Sequence, residues 1–178
     1  MQGEIDLLFP LDQFYQNDGL PLPAVSQVPG IDVPQPYRDL LVGDHDMTPT
    51  LEAFYGDQIE IRAIERKVEA DSMARITVLL LEGSGKPVEF GAIIIHLEHF
   101  PPEARQRVLE CHIPLGTILA KYHVNHRSCP RAFIQIASDS MMEEALQLDG
   151  PRLLYGRRNV LLTPKNEILA DIIEVLPP

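Results

Sequence analysis

The chain has 178 residues, enough for one domain with a sizeable core and room for an internal pocket. Its 26 Asp+Glu outnumber its 15 Lys+Arg, for a formal net charge of -11, and so acidic a chain has few cations to spare for a nucleic-acid footprint. No apolar run approaches the roughly 20 residues that span a bilayer, and the start Met1-Gln2-Gly3-Glu4 has no basic leader. The expectation is a cytoplasmic protein with no nucleic-acid partner and no membrane contact. The two cysteines, Cys111 and Cys129, read as two thiols rather than as a disulfide framework.

Residues 1–36 carry prolines at 10, 21, 23, 29, 34 and 36 and read as an extended arm. Leu7, Leu8, Phe9, Leu11, Phe14 and Tyr15 are too apolar for a solvated tail, so the arm packs on its own domain or on a neighbouring subunit, which would make a homo-oligomer. A folded domain is expected over residues 37–178. A helical turn over Tyr37 to Val42 precedes a helix marked by Thr48 as N-cap, Pro49 at the first position, Glu52 in the first turn and Gly56 just past the end. Met47 stands at the mouth of that helix, among free amide hydrogens that suit a carboxylate.

Alternation predicts strands over Gln58 to Arg66, Arg75 to Glu82 and Pro87 to Leu97, the last two joined by a turn at Gly83-Ser84-Gly85-Lys86. Arg75 heads an apolar row with Leu79 and Leu81, and such an arginine either snorkels at the sheet edge or reaches into a cavity to hold an anion. Helices follow after Phe100-Pro101-Pro102 and Ile113-Pro114-Leu115-Gly116, then a strand over Arg131 to Ser138 and a helix over Met141 to Leu148. The chain closes on a hairpin from Arg152 to Pro177 turning at Pro164-Lys165-Asn166. Arg157 and Arg158 lie in its first arm and Asp171 and Glu174 in its second, which makes either a wall for a small anion or a solvated outer face. About six strands joined by hairpins and short helices indicate an α+β domain: a six-stranded, mainly antiparallel sheet with short helices covering a buried ligand pocket.

Cys111-His112 and His123-x-x-His126-x-x-Cys129 match no zinc spacing, no nucleophile elbow is present, and Gly83-Ser84-Gly85-Lys86 is too short for a phosphate loop. Neither metal nor cofactor is expected. The remaining equipment, arginines with one or two carboxylates, suits a dianionic carbon-based substrate whose reaction needs proton movement and no cofactor.

The ordered set Asp46-Met47-Thr48, Arg75, Gly85-Lys86-Pro87, Ile113-Pro114-Leu115-Gly116, Arg131-x-Phe133-Ile134, Gly156-Arg157-Arg158 and Glu174-Val175-Leu176-Pro177 resembles chorismate lyase, in its cyanobacterial and algal-plastid branch. The resemblance covers Tyr37 to Pro177. It implies a six-stranded antiparallel sheet closed by helices over a buried pocket, a fold shared with effector-binding domains of some bacterial transcription regulators. It also implies a chorismate pyruvate-lyase that converts chorismate to 4-hydroxybenzoate and pyruvate, supplying quinone biosynthesis, without cofactor or metal.

By that resemblance Arg75 pairs with the ring carboxylate, the amides of Met47 and Leu115 contact the same group, and Glu174 meets the ring hydroxyl, with Asp171 as its alternate. Enterobacterial members carry a second pocket arginine where this chain has Gly91-Ala92, and Arg157, Arg158 or Arg62 are the candidates to replace it. The segments carrying Met47 and Leu115 would stand over the sheet like flaps. Two other readings remain open: a non-catalytic small-acid-binding module of the same fold, and a lyase giving 3-hydroxybenzoate.

Overall fold

The computed structural model describes residues 5–178. Seven strands build a single sheet: β1 (Val25–Val28), β2 (Ile59–Val68), β3 (Ser72–Leu81), β4 (Pro87–His96), β5 (Arg127–Ala137), β6 (Leu153–Leu162) and β7 (Ile168–Leu176). Their order is β1-β5-β6-β7-β4-β3-β2, with every neighbouring pair antiparallel. The sheet therefore has one strand more than the six expected. The extra one is Val25-Ser26-Gln27-Val28, which pairs at the edge with Ile136 to Phe133. A strand of four residues, in the five-residue stretch between Pro23 and Pro29, is too short for alternation to register, and only the backbone partner reveals it.

Among the described residues six α-helices flank the sheet: α1 (Leu11–Asn17), α2 (Tyr37–Leu41), α3 (Met47–Tyr55), α4 (Pro102–Glu110), α5 (Leu115–Lys121) and α6 (Ser140–Leu146). Because side chains alternate across a strand, each strand serves two cores. On one face Leu11, Phe14 and Tyr15 of α1 and Met142, Ala145 and Leu146 of α6 pack against Ile76, Val78, Phe90, Ile173 and Val175. The opposite face is covered by α2 and α3 at one end and by α4 and α5 at the other.

Most of the proline-rich segment thus belongs to the domain. Leu11, Phe14 and Tyr15 fall at helical spacing and are buried on the sheet. The Tyr15 hydroxyl donates to the carboxylate of Asp139, which also accepts from the Met142 amide at 2.9 Å and so caps α6. Ahead of α1, the Arg158 Nε donates to the Asp6 carbonyl at 3.1 Å and its guanidinium lies 5.3 Å from the centre of the Phe9 ring.

Helix α3 starts earlier than its expected cap. Asp46 is the extended residue before it, Thr48 is already helical and buried, and the Thr50 hydroxyl donates to the Asp46 carbonyl at 2.7 Å. Pro49 is tolerated one turn in because the first-turn amides need no intrahelical acceptor. Gly56, left-handed at φ 66°, ends the helix where expected.

Candidate functional site

Strand register assembles the site from residues far apart in the chain. Arg157, Glu174, Gly91 and Thr77 form one row across β6, β7, β4 and β3, and Asn159, Ile172, Ile93 and Arg75 form the next. Met47 and Leu115, the first residues of α3 and α5, stand over these rows. Together they enclose a cavity of about 70 Å³ with walls that include Ile61, Leu79, Leu119 and Leu161. Of the residues named from the sequence, the cavity brings together Arg75, Met47, Leu115 and Glu174.

Arg75 is 2% exposed, so of its two sequence readings the buried one describes its placement. Its Nη1 donates to the Cys111 thiol at 3.2 Å, and its Nε has no partner among the described residues. Burial pulls the guanidinium pKa below its ordinary value, with the Cys111 sulfur acting in the opposite direction. A thiol is a weak acceptor, so most of the hydrogen-bonding capacity of this buried cation is unused by the protein. Arg66 lies opposite on β2, but it is exposed and donates to the Leu109 carbonyl at 3.4 Å.

Arg157 is buried to the same degree and arranged quite differently. It forms an ion pair with Glu174, and its remaining nitrogens donate to the carbonyls of Leu41 at 3.3 Å, Gly43 at 3.4 Å and His45 at 2.9 Å. Its fork is saturated. It fastens the loop between α2 and α3, and thereby the start of α3, to the sheet. Glu174 lines the cavity with its carboxylate held from behind by this arginine.

Arg158 and Asp171 lie on the opposite face, since neighbours along a strand point to opposite sides. They approach one another at 3.6 Å, and the Arg158 Nη1 donates to the Ile172 carbonyl. Arg62, paired with Val78, belongs to that face as well. The two positions where the resemblance would place a second arginine, Gly91 and Ala92, separate in the same way. Ala92 packs into the α1 and α6 core, while Gly91 is the position over the cavity. Gly91 has no room for a side chain: a Cβ there would come within 2.9 Å of the Ile173 carbonyl and 3.1 Å of the Glu89 Oε1.

That last contact points to a residue the sequence reading passed over. Glu89 lines the cavity at 7% exposure, with Oε2 lacking any partner. Burial raises its pKa well above the ordinary carboxylate range, the nearby Glu174 adds to this, and Arg157 opposes it. The shift favours the uncharged form, which can donate as well as accept. A signal for it existed: Val88, Phe90, Ala92, Ile93 and Ile95 populate both faces of β4, which leaves no solvent side for an acid.

The mouth of the cavity runs between α3 and α5. Gly116 permits their contact, because a Cβ there would meet the Thr48 Cβ and Oγ1 at 2.9 Å. Outside lies an open cleft that shares Asp46, Thr48, Gly116 and Leu119 with the cavity. Across the cleft, His126 Nε2 lies 2.6 Å from Asp46 Oδ2, and its Nδ1 lies 2.8 Å from the Val124 carbonyl. The bond to Asp46 raises the His126 pKa above 6.5, with burial opposing. This pair ties the α5 to β5 loop to the segment that enters α3.

The architecture is thus an α+β antiparallel sheet with a pocket under short helices. No protein-family model matches the chain, and no curated protein matches it. Among solved structures, it is similar to the effector domain of PhnF from Mycobacterium smegmatis, with 10% identity, 76% of this chain and 90% of that chain covered, and a TM-score of 0.56. Against PhnF itself the identity is 10%, with 76% of this chain and 64% of that chain covered and a TM-score of 0.58. A GntR-family transcriptional regulator from Bacillus cereus is 17% identical over 67% of this chain and 92% of that one, with a TM-score of 0.49. At these identities the likeness to PhnF establishes the fold. Among the described residues no helix is long and apolar enough to cross a membrane.

Proposed function

We propose that this chain is a cytoplasmic binding module for a small organic acid, held in the cavity over Gly91. The observation that carries the reading is Arg75, a cation buried among apolar walls with its Nε unpartnered. Burying a guanidinium without a carboxylate is costly, and an anion entering the cavity offsets that cost. The fold likeness to an effector domain supports binding as the task. The experiment is calorimetric titration of the full chain with a panel of small aromatic and aliphatic carboxylates. At least one is expected to bind to the native protein and to lose roughly 3 to 5 kcal/mol of affinity in Arg75→Ala. Equal binding to both proteins would remove Arg75 from the site.

A second reading is a chorismate pyruvate-lyase, favoured by the meeting of Arg75, Met47, Leu115 and Glu174 around one cavity. In that reading Arg75 orients a carboxylate and the closed walls exclude water, while aromatisation drives loss of the enolpyruvyl group. Incubation with chorismate, with chromatography of the products, decides it. Formation of 4-hydroxybenzoate and pyruvate supports the lyase, 3-hydroxybenzoate identifies the isomeric reaction, and no product above the spontaneous rate leaves the binding module alone.

A further inference from the structure

The sheet ends in two unlike edges. At one, β1 is four residues long and flanked by Pro23 and Pro29, the short, proline-bounded form by which edge strands avoid further pairing. At the other, β2 runs for ten residues from Ile59 to Val68 without a proline or glycine. Among the described residues no strand pairs with its outer side, so a long row of backbone donors and acceptors is open there. Ile64 and Val68 of the same strand are 42% and 54% exposed.

The register of β2 makes its charges regular. Glu60 and Arg62 stand opposite Leu80 and Val78 of β3, Ile64 is the extra residue of a bulge, and Glu65 and Lys67 stand opposite Ile76 and Ala74. By simple alternation Glu60 and Lys67 would point to opposite faces. The bulge cancels that offset, and the four β3 partners, at positions 80, 78, 76 and 74, all lie on one face. That face of the edge therefore reads minus, plus, minus, plus, as Glu60, Arg62, Glu65 and Lys67.

Such a row is complementary to its own reverse. When a second copy is laid antiparallel about a two-fold axis at the bulge, Glu60 meets Lys67 and Arg62 meets Glu65, each pair occurring twice. On the other face Ile59 meets the exposed Val68. Sliding one copy by two residues sets Glu60 against Glu65 and Arg62 against Arg62, or Arg62 against Lys67 and Glu65 against Glu65. Like charges directly opposite are destabilising, so the pattern selects a single register. Charges that merely discourage pairing do so by meeting their like, whereas here every charge on the face meets its opposite. The bridge from Lys67 to Glu69 within one chain, at 3.1 Å, joins side chains 62% and 61% exposed and is weak enough to be exchanged.

We propose that β2 is an interface for a second copy of this chain, which continues the sheet edge to edge across a two-fold axis at the Ala63 to Glu65 bulge. The proposal goes beyond the binding reading and does not depend on what the cavity holds.

The test is sedimentation of the full chain across roughly 1 to 100 μM, with hydrogen exchange at both ends of that range. The native protein is expected to approach twice the 20.0 kDa of one chain as concentration rises, with protection growing over residues 59–68. Arg62→Glu and Glu65→Arg each set like charges opposite one another and should weaken self-association at least about tenfold. Mixed in equal amounts, the two variants should associate with each other, since all four pairs between them are again of opposite sign. A chain carrying both changes should self-associate as the native one does. A native protein that keeps the mass of one copy at the highest concentration overturns the proposal. A dimer that both single variants leave intact, or one whose residues 59–68 gain no protection, overturns it as well. Should a variant fail to fold, the mass and exchange of the native protein decide together.

Discussion

Two fully buried arginines stand at the cavity, Arg75 in its lining and Arg157 behind the lining Glu174, and they are used in opposite ways. At the β6 and β7 end, Arg157 is satisfied by Glu174 and by three carbonyls of the loop leading to α3. At the β3 and β4 end, Arg75 has a thiol and an unpartnered Nε. The same residue type at the same burial is structural in one place and receptive in the other. Burial and charge alone do not distinguish them, and the count of satisfied donors does.

The sharpest way to break this comparison is to remove each cation in turn. Arg157→Ala strands the buried Glu174 and frees the loop carbonyls, and is expected to cost about 3 to 5 kcal/mol of stability in chemical denaturation. Arg75→Met should do the reverse, raising the stability of the ligand-free protein by roughly 1 to 3 kcal/mol as an apolar chain of similar volume replaces an under-paired cation. It should abolish acid binding in the same preparation. Equal destabilisation by both variants would mean that the two ends are alike after all.

A smaller effect tests the floor between them. Gly91→Ala forces a Cβ against the Ile173 carbonyl and the Glu89 carboxyl, and such overpacking costs about 1 to 3 kcal/mol. Ring acids should lose affinity along with it, which thermal unfolding with and without 4-hydroxybenzoate would read. Unchanged midpoints and affinity would show that the floor has slack.

The smallest effect concerns the mouth. His126 has a folded pKa raised from 6.5 by Asp46, so its contribution is fully present below about pH 6.5 and is lost as pH climbs through the raised folded value. The pair is half-buried and worth below about 1 kcal/mol. Ligand dissociation measured by stopped flow should therefore quicken modestly as pH rises across that window, and His126→Ala should flatten the trend. A pH-independent rate in the native protein would detach the pair from exchange.

How far these contrasts were legible depends on what each residue advertises in one dimension. Arg75 was visible because a cation heading an apolar row has no ordinary reason to be there; β2 and β5 followed from alternation, β3 and β4 from the turn that joins them, and β6 and β7 from branched apolar arms about the Pro164-Lys165-Asn166 turn. Glu89 was missed because a single acid between Val88 and Phe90 reads as the solvent side of a half-buried strand. Its burial comes from α3 and α5 folding over that face, a tertiary fact. Arg157 and Arg158 look equivalent in sequence, and the period of two sends one to the cavity side and the other toward Asp6 and Phe9. Leu11, Phe14 and Tyr15 carried a helical spacing that the surrounding prolines masked.

The position of β7 has a consequence for how the molecule comes into being. Last of the strands in the chain, it lies at the centre of the sheet, between β6 and β4. Until it docks, the β2-β3-β4 meander and the β1-β5-β6 group are separate assemblies with no shared hydrogen bonds between their strands. The β4 to β7 pairing joins Phe90 to Val175, a long-range contact of the kind that forms slowly. On the ribosome, the residues from 46 to 161 that line the cavity would all emerge before Ile172 and Glu174 complete it. The capacity to bind would therefore arise in one late step, when the closing strand zips two half-sheets into a continuous one.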